Sequence, residues 1–176
     1  MEYARSVDKR GWNGDKKQYN IFFVEDFQTE KGLLSVWSLD QQDELDTALA
    51  IVMTRDLISD VYVVRLNDAT IRGSLRKFTP NEGESKWTEM NNLHYDMHVG
   101  NLADLKWLIE YAWDAVTENI CFKAFTKREL KDHLKKCVQQ NKFSKQTLDG
   151  ILNSPNAKLD ALKGQIRETL KKQANN

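Results

Sequence analysis

The chain has 176 residues, a formal net charge of zero, 40% hydrophobic residues and 10% aromatic residues. This is enough apolar material for a packed core and excludes global disorder, in spite of 30% charged residues. Two Cys exclude a disulfide framework, and the longest apolar stretch, Ala48 to Met53, is far too short to span a membrane. The start, Met1 to Ser6, has no apolar run of the signal-peptide kind. The expectation is a soluble cytoplasmic protein in which Cys121 and Cys137 are buried free thiols. At this length the chain is one domain, or one domain with a helical appendage.

Residues 1–18 are polar, carry Gly11 and Gly14, and read as a loose arm that Trp12 could pin to the body. Gln18 to Phe27 reads as a strand with apolar residues on both faces, and Leu33 to Leu39 as a second, after a turn at Gln28 to Gly32. Asp40 then reads as the cap of a helix running to about Asp56, with Asp43, Glu44 and Asp46 near its positive end. Leu45, Ala48, Leu49 and Val52 form its primary face, and Ala50, Ile51 and Met53 widen it, so this helix should be buried on more than one side. Val61 to Leu66 is a β-branched strand. Ala69 to Phe78 is expected to return as a fourth strand, and Lys86 to Val99 as one further extended strand.

The clearest helix runs from Asn101 as its cap to about Glu118, with Leu102, Leu105, Ile109, Ala112, Trp113 and Val116 on its apolar face. After a short apolar stretch, Ile120 to Phe125, the chain reads as helical. Thr126 to Glu129 is a capping box, and Leu130, Leu134, Cys137 and Val138 face inward behind it. Ser144 can cap a short helix. Ser154-Pro155 is a cap followed by Pro at the first helical position, and Leu159, Leu162, Ile166 and Leu170 line the last helix. The expected fold class is α+β: an antiparallel or mixed sheet of four to five strands, one buried helix, a long helix and a C-terminal basic helical region. The expected organisation is a polar arm over 1–18, an acidic α+β domain over 19–118, and a basic helical region over 119–176 packed on it.

The zero net charge hides a split. Residues 1–118 hold 13 Lys/Arg against 21 Asp/Glu, a net −8, whereas residues 119–176 hold 13 against 5, a net +8. All five Trp lie in the acidic part. Lys127, Lys131 and Lys135 form a stripe at i, i+4, i+8, and Lys163, Arg167 and Lys171 form a second one; Lys142 and Lys145 add charge between them. Such residues can contact the phosphates of nucleic acid without reading sequence. Thr126 to Leu152 also has a helix, connection, helix outline, whose second helix would offer Ser144, Lys145, Gln146 and Thr147 to base edges. Against this stands an ordinary solvated face.

Trp107 and Tyr111 lie off the apolar face of their helix, among Asp104, Glu110, Asp114 and Glu118. Exposed, they would be a partner hot spot. The preferred alternative is that the basic helices cover them, so that the opposite charges join two parts of one fold. His94, Asp96 and His98 would share one face of a strand, but alternate side chains ~7 Å apart are a poor match to a tight metal shell. Glu25-Asp26 is the best acid pair, an ordinary strand end. Phosphate loops, nucleophile elbows and Cys-x-x-Cys pairs are absent. No metal and no cofactor are expected. The leading expectation is a small non-enzymatic binding or regulatory protein that uses its basic C-terminal helices on nucleic acid or a nucleic-acid-associated complex. The alternatives are a protein–protein adaptor or inhibitor acting through the acidic Trp-rich part, and an enzyme with a site around His94, Asp96 and His98.

Overall fold

The computed structural model describes residues 2–7, 26–27, 29–39, 43–55, 58–67, 69–71, 73–81 and 87–174. Its strands are β1 (Glu2–Val7), β2 (Leu33–Ser38), β3 (Val61–Asn67), β4 (Phe78–Pro80), β5 (His94–His98) and β6 (Phe122–Phe125). They form one six-stranded sheet in the order β4-β5-β2-β1-β3-β6, and every neighbouring pair is antiparallel. The α-helices among the described residues are α1 (Glu44–Met53), α2 (Leu102–Thr117), α3 (Lys127–Gln139), α4 (Lys145–Leu152) and α5 (Asp160–Ala174). The α+β class stands, with an antiparallel sheet of six strands rather than four or five. None of these helices is long and apolar enough to cross a membrane.

The N-terminal arm needs the largest correction. Residues 2–7 are an interior strand, paired with β2 (Ala4 opposite Trp37) and along its whole length with β3 (Glu2 opposite Asn67 through to Val7 opposite Tyr62). Its polar residues disguised it. Arg5 is accommodated because Nε and Nη2 donate to the Asp26 carbonyl at 2.8 and 2.5 Å, and Nη1 donates to the Ser35 carbonyl at 2.7 Å. The expected strand from Gln18 lies outside the described residues except for Asp26 and Phe27, which form a turn. Trp12 and the Asp40 cap also lie outside them; the observed cap of α1 is Asp43, whose carboxylate accepts from the Leu45 amide at 3.1 Å.

Of two further expected strands, 69–78 is, among the described residues, strand only at its last residue and 86–99 only over its second half. Between Ala69 and Phe78 the chain makes a 3₁₀ turn, Gly73–Arg76, before the three-residue β4. Gly73 has φ +57°, and a Cβ there would lie 2.9 Å from Asp104 Oδ1, so this turn's approach to α2 requires Gly. Between Lys86 and Val99 only His94–His98 is strand; Thr88–Leu93 is 3₁₀ and turns the buried Trp87, Met90 and Leu93 into the core. Pro80 is tolerated because β4 is an edge strand, where a missing N–H breaks no ladder.

The sheet has helices on both faces. Val61 and Val63 of β3 belong to one core cluster with α1, α3, α4 and α5, while Val64 and Leu66 belong to a second cluster with α2. This alternation along β3 is the two-residue period of a strand covered on both sides. The capping box of α3 is present, with Thr126 and Glu129 bonded reciprocally. Ser144 caps α4 by accepting from the Thr147 amide at 3.2 Å. The last helix begins later than Ser154-Pro155 suggested, at Asp160 after a 3₁₀ turn over Ala157–Leu159.

Candidate functional site

The basic region divides into cations spent inside the fold and cations left on the surface. On α3, Lys127, Arg128, Lys131 and Lys135 line one open surface depression, joined by a single acid, Asp132. Lys135 reaches Asp132 at 3.2 Å, an exposed pair that stabilises little. The second stripe is not exposed along its whole length. Lys163 is buried and held by Asp160 at 2.7 Å, so it offers nothing to a ligand. Arg167 is exposed but leans toward α4, with Nη2 3.5 Å from the Leu152 carbonyl. Lys171 and Lys145 are exposed. Lys172, which the sequence did not single out, pairs with Glu168 at 3.0 Å, and Glu168 also feels the charge of Lys135.

The start of α4 is not free to read bases. Glu89, from the 3₁₀ segment before β5, accepts from the Ser144 amide at 2.7 Å and from Thr147 Oγ1 at 3.0 Å. Thr147 is buried, and Trp87 packs edge-to-face on Phe143 beside it. The helix, connection, helix outline is therefore a docked corner of the core.

The acids of α1 are also spent inside. Glu44 is held by Arg65 of β3 and Lys123 of β6. Asp46 is buried at 6% exposure, in contact with three polar side chains. Its Oδ1 accepts from His133 Nε2 at 2.7 Å, and its Oδ2 from Lys142 Nζ at 2.9 Å. An ionised carboxylate only accepts, so the His133 nitrogen facing it carries a proton. Cys137 Sγ lies 3.6 Å from the same Oδ1 and is fully buried. Burial first, then the Asp46 charge, pushes the Cys137 thiol up to about 11, which makes it a poor nucleophile at neutral pH. Cys121, by contrast, is exposed, so the two thiols do not share one environment as the sequence suggested.

Sequence reasoning missed this cluster, although part of its signal was present. His133 and Cys137 are four apart, hence on one face of α3, and Cys137 was already placed inward. Nothing in the spacing pointed to Asp46, which lies more than eighty residues away.

Trp107 and Tyr111 are stacked, with ring centroids 5.3 Å apart, and Tyr111 Oη donates to the Arg65 carbonyl of β3 at 3.1 Å. They flank the buried face of α2 and are half-buried against the sheet. The basic helices do not cover them, because those helices occupy the opposite face of the sheet. His94, Asp96 and His98 are spread along β5 and tied to the β4 edge: His94 Nδ1 to the Asn81 carbonyl (3.1 Å), Asp96 to Asn81 Nδ2 (2.7 Å), His98 Nε2 to Thr79 Oγ1 (2.9 Å). Among the described residues the group of metal-capable side chains that does converge is Asp46, His133 and Cys137. Of the Glu25-Asp26 pair, Glu25 lies outside the described residues. No known protein family, curated protein or solved structure matches this chain.

The carboxylates set an acid limit on stability. Burial alone would raise both Asp46 and Glu89, but hydrogen bonds from Lys142 and His133 to the first, and from Ser144 and Thr147 to the second, hold both below their ordinary values. A folded pKa below the unfolded one, about 3.9 for Asp and 4.3 for Glu, stabilises above the unfolded value and is lost as pH falls through the folded value. Thermal melts should therefore change little between pH 7 and 5 and fall steeply below about pH 4. Glu89→Gln should flatten that fall; an unchanged acid profile would show that Glu89 contributes nothing to it.

Proposed function

We propose that this chain is a small non-enzymatic binding protein that docks on the phosphate backbone of nucleic acid through the exposed face of α3. The observation that carries the reading is the depression lined by Lys127, Arg128, Lys131 and Lys135 with only Asp132 among them. The α1 acids do not cancel this charge, since Glu44 and Asp46 already have Arg65, Lys123, His133 and Lys142; Asp60, which accepts from the Lys127 amide, and Glu168, near Lys135, stand at its edges. The acidic outer face of α2 lies across the sheet, so the two charge blocks point to different sides. Long flexible cations on one helix suit phosphate contacts, and the docked start of α4 removes the element that would read bases.

Binding should therefore be weak, tolerant of sequence and steeply dependent on salt. Each neutralised phosphate releases condensed counterions, with a slope of about −0.9 per contact on duplex DNA, so roughly −3 to −4 if all four cations engage. The test is fluorescence anisotropy of labelled duplexes of two unrelated sequences at several salt concentrations. Lys127→Glu combined with Lys131→Glu should abolish binding to both, while Lys106→Glu on α2 should leave it unchanged. Absence of binding at low salt, or equal losses from both variants, would remove the assignment.

A further inference from the structure

We propose that Asp46, His133 and Cys137 form a binding site for a zinc-class transition-metal cation, with Lys142 as the resident cation that the metal displaces. This inference is independent of the nucleic-acid reading, because none of these side chains lies in the α3 depression.

Three different donor types meet at one point: a carboxylate oxygen, an imidazole nitrogen and a sulfur, all within 4.8 Å of one another. α3 supplies two of them from successive turns of one face, and α1 supplies the third from across the helix interface. Zinc holds N, O and S ligands at about 2.0–2.1, 2.0–2.2 and 2.3 Å, so a tetrahedral shell separates N from O by about 3.4 Å and S from O by about 3.6 Å. Here Cys137 Sγ to Asp46 Oδ1 is 3.6 Å and His133 Nε2 to the same oxygen is 2.7 Å. One contact is in place, and the other must open by about 0.7 Å, a side-chain adjustment.

A purely structural ion pair explains His133 and Lys142 but not the sulfur. As a hydrogen-bond donor a thiol is weak, and an aliphatic side chain would fill its place as well. As a metal ligand it is strong and favours zinc over the hard cations magnesium and calcium. The charge also balances: a divalent cation with two anionic ligands and a neutral imidazole makes a neutral site in a buried place. On binding, the thiol proton leaves to solvent, and His133 turns its lone pair at Nε2 to the metal with its proton on Nδ1.

The fourth side faces Lys142, whose side chain is 40% exposed and can withdraw its ammonium to water. That leaves a coordination position for water. The ammonium competes with the metal for Asp46, which makes Lys142 a determinant of affinity that does not itself ligate.

The experiment uses the full chain, stripped with chelator and titrated with zinc chloride and, separately, cobalt chloride. One equivalent of each should bind, and the cobalt form should show thiolate-to-cobalt charge transfer with tetrahedral d–d bands. Cys137→Ser should remove the charge-transfer band and weaken zinc binding by at least about 100-fold. Lys142→Met, at an exposed position, should tighten zinc binding about tenfold, as removal of a nearby like charge does. Should the buried Cys137→Ser variant fail to fold, Lys142→Met carries the test alone. Wild-type protein that takes up no zinc, uptake that Cys137→Ser leaves unchanged, or affinity that Lys142→Met fails to raise would each overturn the proposal.

Discussion

Asp46→Ala is expected to lower the unfolding free energy by about 3–5 kcal/mol, the usual cost of removing one partner from a buried charged group. The carboxylate is nearly sealed, at 6% exposure, and it joins α1 to α3 through His133 and to the start of the following loop through Lys142. Without it, the buried His133 nitrogen has lost its acceptor, and the Lys142 ammonium must return to water. Denaturant unfolding at constant slope measures the loss. Lys142→Met alone should cost much less, since that side chain is partly solvated. The double variant should lose less than the sum of the two, because the interaction is counted once. Strict additivity would show that Lys142 and Asp46 do not interact in solution, and a loss below 1 kcal/mol for Asp46→Ala would show that the cluster is open to water.

Leu108→Ala is expected to cost about 2–5 kcal/mol, and Leu105→Ala clearly less. Leu108 is completely buried, together with Ala112, Trp113 and Ala115, whereas Leu105 and Ile109 are only half-buried. Truncating a side chain that touches core on every side leaves a cavity; truncating one at the flank leaves a dent that water can fill. The sequence pointed to Leu105 as the core position, because Leu102, Leu105, Ile109, Ala112, Trp113 and Val116 trace a helical stripe. Leu102 is in fact 82% exposed. That stripe leaves out Leu108, Trp107 and Tyr111. Trp107 and Tyr111 widen the apolar arc on its other side and rotate the buried centre of α2 toward Leu108 and Ala115. Equal losses for the two Leu variants would refute this placement.

Local signals were legible where one short segment suffices to fix them. The Asn101 and Ser144 caps and the Thr126–Glu129 box stand, because a cap is a contact between residues three apart. The inward face of α3 stands for the same reason: Leu130, Leu134, Cys137 and Val138 repeat at helical spacing and all are buried. Strand identity was legible for the β-branched run of β3 and for β2. It failed for β1, whose Glu2, Arg5 and Ser6 look like surface until β2 and β3 supply partners on both sides. It also failed over 69–78 and 86–99, where Gly73 and the 3₁₀ segment over Thr88–Leu93 turn the chain within apparently extended stretches.

By itself, then, the sequence determined the α+β class, the caps at Asn101, Thr126 and Ser144, the apolar faces of α1 and α3, and the separation of acidic from basic segments. Each depends on composition or on residues within a turn or two of one another. The tertiary structure alone decided which charges remain outside. Lys163 and Lys142 are consumed by Asp160 and Asp46, whereas Lys127, Arg128 and Lys131 share a depression with one acid. It also decided that α2, with its acidic outer face, lies across the sheet from the basic helices, and that Asp46 meets His133 and Cys137. Charge pairing and ligand convergence depend on distance in space, and antiparallel sheet order brings together segments that spacing along the chain keeps far apart.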